Sequence, residues 1–133
     1  MKVTLSYKAD EEYVVVNETG QAVHIDMLHA DQKQHMSPVQ LVASALIACA
    51  AVDIVSMIKK RRKTFIDLKG EASYERREEH PRAITTVNLH YIITSPDLTE
   101  EEADRIVSLA TTKYCSVAGS LNAEQTHSFE IVR

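Results

Sequence analysis

The apolar positions of this chain follow two periods. Val3-Thr4-Leu5-Ser6-Tyr7 alternates apolar and polar side chains, Tyr13-Val14-Val15-Val16 is a β-branched run, and Ala22-Val23-His24-Ile25 resumes after the turn signal Glu18-Thr19-Gly20-Gln21. These segments predict a meander of three strands. Residues 27–36 show no period and predict a loop. Ser37-Pro38-Val39-Gln40 then has the S-x-x-Q form of a capping box, with Pro at the first helical position, where its missing N–H costs nothing. From Leu41 to Ile58 the chain is almost wholly apolar and rich in Ala, and it ends in the cations Lys59-Lys60-Arg61-Arg62-Lys63, which suit a helix C-terminus. A helix apolar on nearly all sides must be buried on nearly all sides.

Two further strands are predicted over 65–76 and 83–94, joined through Glu78-Glu79-His80-Pro81. Thr99-Glu100-Glu101-Glu102 is a second capping box, and Ala103, Ile106, Val107 and Ala110 put one apolar stripe on the helix behind it. Residues 113–120 predict a turn with a further short helix, and 128–132 a last strand. The order β-β-β-α-β-β-α-β predicts an α+β fold of mostly antiparallel sheets around a long buried central helix. At 133 residues the chain is short for two independent cores, so residues 1–133 are expected to form a single domain.

Charge narrows the classes. Fifteen basic against nineteen acidic residues give a net charge of -4, without the basic footprint that nucleic-acid binding needs, and no Trp is present for base stacking. The central run is long enough to span a bilayer, but Asp53 lies inside it and Ala dominates over Leu and Ile, which favours a buried helix over a membrane span. The N-terminus carries no apolar signal-peptide core, so the expected location is cytoplasmic.

The candidate chemistry rests on two cysteines, Cys49 in the central helix and Cys115 after the second amphipathic helix. Neither stands in a C-x-x-C pair, and His24, His29, His35, His80, His90 and His127 show no metal-ligand spacing, so neither a metal nor another cofactor is expected. As plain residues, buried free cysteines are small hydrophobes. As chemistry, they fit a peroxidatic pair: one thiolate takes an oxygen from a peroxide, the second thiol condenses with it, and an external thiol restores both. Asp53, one turn beyond Cys49 on the same face, favours the neutral thiol.

Residues 36–49, Met-Ser-Pro-Val-Gln-Leu-Val-Ala-Ser-Ala-Leu-Ile-Ala-Cys, resemble the S/N-P-x-x-L-x-x-A-x-x-x-x-C helix of the OsmC/Ohr superfamily, and Lys113-Tyr114-Cys115-Ser116-Val117-Ala118-Gly119-Ser120-Leu121 resembles its K-Y-C-x-V-x-x-x-L motif. The resemblance covers essentially the whole chain and is nearest to the small OsmC-like proteins. It implies an intertwined homodimer with packed central helices, thiol-dependent reduction of small organic or inorganic hydroperoxides, Cys49 as the peroxidatic and Cys115 as the resolving residue, and a reductant that is often a dithiol such as a lipoyl protein. Peroxidase members carry Glu after the motif's Pro, where this chain has Val39, and an Arg in an N-terminal loop, whereas the first Arg here is Arg61. Lys8, Arg76, Arg77 and Arg82 are the alternative cations. The other reading is a catalytically inactive or differently active OsmC-like domain that binds a small ligand at the dimer crevice.

Two geometric expectations follow. Ala43, Ser44, Ala45, Ala48, Ala50 and Ala51 would let a second helix approach closely, so a homodimer is expected. Cys49 and Cys115 sit on elements that must pack on one sheet, and they are expected within disulfide reach.

Overall fold

In the computed structural model, which describes residues 1–133, the alternating N-terminal segments form the strands β1 (Val3–Ala9), β2 (Glu12–Asn17) and β3 (Ala22–Asp26) of an antiparallel sheet in the order β1-β2-β3. The register places Leu5 opposite Val15 and Val15 opposite Val23, with Tyr7 opposite Tyr13 and Tyr13 opposite Ile25. With a side-chain period of two, these residues share one apolar face. In the single chain Val3, Leu5, Tyr7 and Val23 of that face are exposed, Leu5 at 62%.

Asp26 closes β3 and organises the predicted loop behind it. Its buried carboxylate accepts from the backbone N–H groups of Leu28 (3.2 Å), Gln34 (2.9 Å) and His35 (2.6 Å) and pairs with Lys33 Nζ at 2.9 Å. Burial alone would raise its pKa, but Lys33 and the three N–H groups outweigh that and hold it well below the usual carboxylate range. The segment is a loop, as its lack of period implies, but one held at a single carboxylate.

The chain divides into two compact units, Met1–Val42 and Ala43–Arg133. Helix α1 (Pro38–Lys60) begins in the first and runs through the second. Gln40 Oε1 accepts from the Ser37 N–H at 2.9 Å, the reciprocal arm of the expected capping box. At the other end Lys63 N–H donates to Ile58 O and Arg62 N–H to Lys59 O, a Schellman closure. Arg62 therefore occupies the left-handed position at φ 61°, where glycine is usual.

In the second unit β4 (Asp67–Arg76), β5 (Ile84–Thr94) and β6 (Glu124–Val132) form a sheet in the order β4-β5-β6. β4 and β5 are antiparallel, while β6 runs parallel to β5. A parallel neighbour needs a long crossover. It is supplied by α2 (Glu100–Leu109), one π-helical turn (Ala110–Tyr114) and α3 (Ser116–Ser120). Both arms of the Thr99–Glu102 capping box are present. The sequence places the last strand at 128–132. It starts four residues earlier, because Glu124–His127 also pair with β5 although their side chains carry no strong apolar signal.

The core follows from the periodicities. Leu46, Ala50, Ile54 and Ile58 fall on one stripe of α1 and are wholly buried with Val87, Leu89, Tyr91 and Ile93 of β5 and Ala103, Ile106 and Val107 of α2. By length and composition α1 could cross a membrane, yet this stripe makes it the core helix of its unit. Its opposite side is open: Ala45 and Ala48 are exposed, and Val52 is exposed at 70%. One chain thus covers one face of a helix whose sequence asks for cover on nearly all.

Candidate functional site

Cys49 sits on α1 three residues beyond the fully buried Leu46 and beside the fully buried Ala50, and it is itself half-buried. Cys115 is buried, at 5% exposure, and is the N-cap of α3. Its sulfur accepts from the Ala118 N–H at 3.3 Å, and its thiol faces the carbonyl oxygen of Leu46 at 3.9 Å. An N-cap must turn its side chain back over the first helical turn. That turn brings the Cys115 sulfur to α1, into hydrogen-bonding reach of the Cys49 thiol.

The two thiols are driven in opposite directions. Cys49 is more acidic than an ordinary thiol: the N–H of Val117, then the Cys115 thiol, then the N–H of Ser116 favour its thiolate, while desolvation and the Asp53 carboxylate oppose. Cys115 is less acidic, chiefly because it is buried and then because the Cys49 sulfur stands beside it. A more acidic thiol beside a less acidic one suits attack by the first and condensation by the second.

No cation figures among the groups that tune Cys49. Of the four alternative cations, Arg76 donates through Nε to Arg82 O at 2.8 Å, Arg77 lies 3.7 Å from Glu79, and Arg82 and Lys8 are exposed, the first between β4 and β5 and the second on β1. Backbone N–H groups stand in their place. The opposition expected of Asp53 is present as well.

Tyr91 belongs to the site although its place in the alternating β5 pattern marks it only as core. Its hydroxyl donates to Ile47 O on α1 at 2.7 Å, and burial, then the charges of Cys115 and Cys49, suppress its ionisation strongly. It is opposite Gly70 on β4. A Cβ at Gly70 would stand 2.9 Å from Ile47 Cδ1 and 3.2 Å from the Tyr91 ring, so an added methyl would press on both the α1 side chain and Tyr91. Ser116 and Val117 also escape a search for side-chain chemistry, since they act through the backbone. The detectable signal is the cysteine at a helix start.

Beyond Cys49, Asp53, Ser56, Met57 and Lys60 follow at helical spacing on the same side of α1 and, with Tyr114, line a groove of about 280 Å³.

This geometry defines an α+β protein with a dithiol site between a core helix and a helix start. The family model described as OsmC-like protein matches residues 30–130, and the chain belongs to the OsmC family. The Escherichia coli K12 protein YhfA is 43% identical over 98 residues, 72% of this chain and 73% of its own length. The OsmC-like protein of Mycoplasma pneumoniae shares the fold at a TM-score of 0.87 with 16% identity, over 99% of this chain and 96% of its own. An organic hydroperoxide resistance protein OsmC from Legionella pneumophila does so at 0.73 with 17% identity, over 98% and 97%.

Proposed function

We propose that the protein is a soluble, cytoplasmic, thiol-dependent hydroperoxide reductase that acts through Cys49 and Cys115 as one OsmC-like domain. The observation that carries this reading is the placement of the two cysteines: the buried Cys115 caps α3 with its sulfur turned onto the Leu46 carbonyl of α1, one turn from the half-buried Cys49. The Cys49 thiolate attacks the distal oxygen of ROOH, the O–O bond breaks, and the alkoxide leaves as ROH on taking a proton. Cys49 is then a sulfenic acid. The Cys115 sulfur attacks it and water departs, leaving the Cys49–Cys115 disulfide. Two equivalents of an external thiol return both cysteines to the reduced state.

Organic hydroperoxide resistance in the Legionella pneumophila relative supports the substrate class. The test is stoichiometric peroxide with mass spectrometry. The wild type should form the intramolecular disulfide, Cys49→Ser should consume no peroxide, and Cys115→Ser should stop at the sulfenic acid of Cys49. Peroxide consumption no faster than by free cysteine would favour the second reading, a domain that binds a small ligand without turnover. That reading draws on Val39, on the Asp53 carboxylate beside the thiol and on the lack of a tuning cation.

The partner we propose is a second copy of the chain. The open strip Ala45, Ala48 and Val52 is made of small or β-branched residues that admit a close helix, and the exposed face of Val3, Leu5, Tyr7 and Val23 offers further apolar area. A homodimer burying well above the roughly 1,600 Å² of a standard interface is expected. Sedimentation at micromolar concentration should show twice the chain mass, and a monomer there would refute it.

A further inference from the structure

The face of β5 turned away from α1 carries a chain of polar side chains that the dithiol cycle does not use. Leu89 and Tyr91 are buried in the core, so His90 between them points to the opposite face of the sheet. The parallel register sets His90 opposite Ser128 and Asn88 opposite Thr126, with Glu130 two residues beyond Ser128 on the same face. Ser128 Oγ lies 2.7 Å from His90 Nδ1, and Glu130 Oε2 lies 3.1 Å from His90 Nε2, so β6 holds the half-buried imidazole from both sides. A carboxylate only accepts, so Nε2 carries the hydrogen and Nδ1 is left to accept from the Ser128 hydroxyl. A hydroxyl, a base and an orienting carboxylate thus stand in line. One rank away, about 7 Å along the strands, Asn88 Nδ2 donates to Thr126 Oγ1 at 2.7 Å and keeps a second amide hydrogen. Asn88 and Thr126 also open a groove of about 410 Å³ whose far end is lined by Glu75 and Glu124, on either side of Thr86. Both carboxylates stand outside the ion pairs of the chain.

We propose that Ser128, His90 and Glu130 form a second reactive centre, an esterase-type site for carboxylic esters whose acyl chain ends in a cation. Ser128 Oγ attacks the ester carbonyl carbon and its proton passes to His90 Nδ1. The Glu130 carboxylate faces the resulting imidazolium through Nε2–H, and the second Asn88 amide hydrogen supplies a donor for the oxyanion. The C–O bond to the leaving group then breaks, the alcohol departs with the proton from Nδ1, and the acyl group stays on Ser128. Water attacks the acyl carbon and gives a proton to His90; the carboxylic acid leaves and Ser128 takes that proton back. The acyl chain lies along the groove. The ranks of Ser128 and Glu124 are four residues, about 13 Å, apart, and with the side chains at both ends leaning inward a 6-aminohexanoyl chain places its ammonium at Glu75 and Glu124. No electrons change hands, so the centre works with either redox state of Cys49 and Cys115.

The test uses the full chain with p-nitrophenyl hexanoate and p-nitrophenyl 6-aminohexanoate, followed by acid quench and peptide mass spectrometry, which counts an acyl group on Ser128 apart from one on a cysteine or lysine. The acyl group should appear on Ser128, and Ser128→Ala should abolish that product. His90→Gln should slow its formation about a hundredfold. Glu130→Gln, which acts through His90, should lower kcat about fivefold with KM unchanged. The aminohexanoyl ester should acylate Ser128 about three- to fivefold faster than the hexanoyl ester, and Glu75→Gln together with Glu124→Gln should bring that ratio to one. Acylation of Ser128 no faster than that of another exposed serine such as Ser73, a measurement on the wild type that needs no variant to fold, overturns the proposal. So does a rate at Ser128 that His90→Gln leaves unchanged. A ratio of one in the wild type overturns the cationic class of substrate.

Discussion

Ser116→Pro removes one N–H from the Cys49 site and little else. Ser116 is the first residue of α3, the position where proline is best tolerated, and Cys115 before it is extended at φ −75° and ψ 109°, a conformation compatible with a following proline. The Ser116 carbonyl, which accepts from Ser120 Oγ at 2.9 Å, is retained. A hydrogen bond to a charged group contributes about 1.5–3 kcal/mol. Partial exposure of Cys49 and the diffuse charge on sulfur bring the expected loss to about 1 kcal/mol, or roughly a fivefold smaller thiolate fraction at neutral pH. The assay is the pH dependence of iodoacetamide alkylation at Cys49, read by peptide mass spectrometry, with Ser116→Ala as the control that keeps the N–H. The wild-type and Ser116→Ala midpoints should lie below that of an ordinary thiol, and the Ser116→Pro midpoint should move up. Identical midpoints for proline and alanine, with α3 intact, would refute backbone activation of Cys49.

Three other outcomes follow from the packing and the charges. Arg62→Gly relieves a left-handed arginine at the end of α1 and should stabilise the protein by about 0.5–1 kcal/mol, seen as a higher Tm. Leu46→Ala empties a fully buried position and should cost about 2–5 kcal/mol in a urea titration; a cost below 1 kcal/mol would mean that α1 is not the core helix described here. Asp26 has a depressed folded pKa, so its contribution is complete above the unfolded carboxylate pKa of about 3.9 and is lost as pH falls toward the folded value; Asp26→Asn should flatten the stability profile in that acid window.

The elements were legible wherever one period ran unbroken. The strands β1 to β5, the start of α1 and the Thr99 capping box stand where their patterns put them. The first half of β6 was not legible, because Glu124–His127 satisfy their backbone through β5 and their side chains are all polar, Glu124 and Thr126 exposed and Gln125 and His127 hydrogen-bonded to Ala118 O and Ser108 on the helix side. The parallel pairing of β5 and β6 likewise depends on the crossover, which no local pattern reports. At the site, the two sulfurs were legible as residues, but the groups that tune them were not. A sequence search for an activating partner looks for cations, and here the partners are main-chain N–H groups, positioned because Cys115 caps α3. Tyr91 was legible only as core, since its second role depends on a carbonyl of α1 and on the missing side chain of Gly70.

Activation by N–H groups has a chemical consequence that a cation would not. Falling thiol pKa increases the fraction of thiolate but lowers its intrinsic nucleophilicity, so the best attacking thiol titrates near ambient pH. A guanidinium in contact with the sulfur would favour the thiolate strongly, and Val39 and the absence of any Arg before Arg61 mark a chain without that arrangement. Here the dipoles of Val117 and Ser116 favour the thiolate while burial and Asp53 oppose it, so the net shift is a difference between terms of either sign. Asp53 is the charged member of that opposition and restrains the acidity of Cys49. Asp53→Asn should accordingly quicken iodoacetamide alkylation of Cys49 at neutral pH, and an unchanged rate would refute the part assigned to this carboxylate.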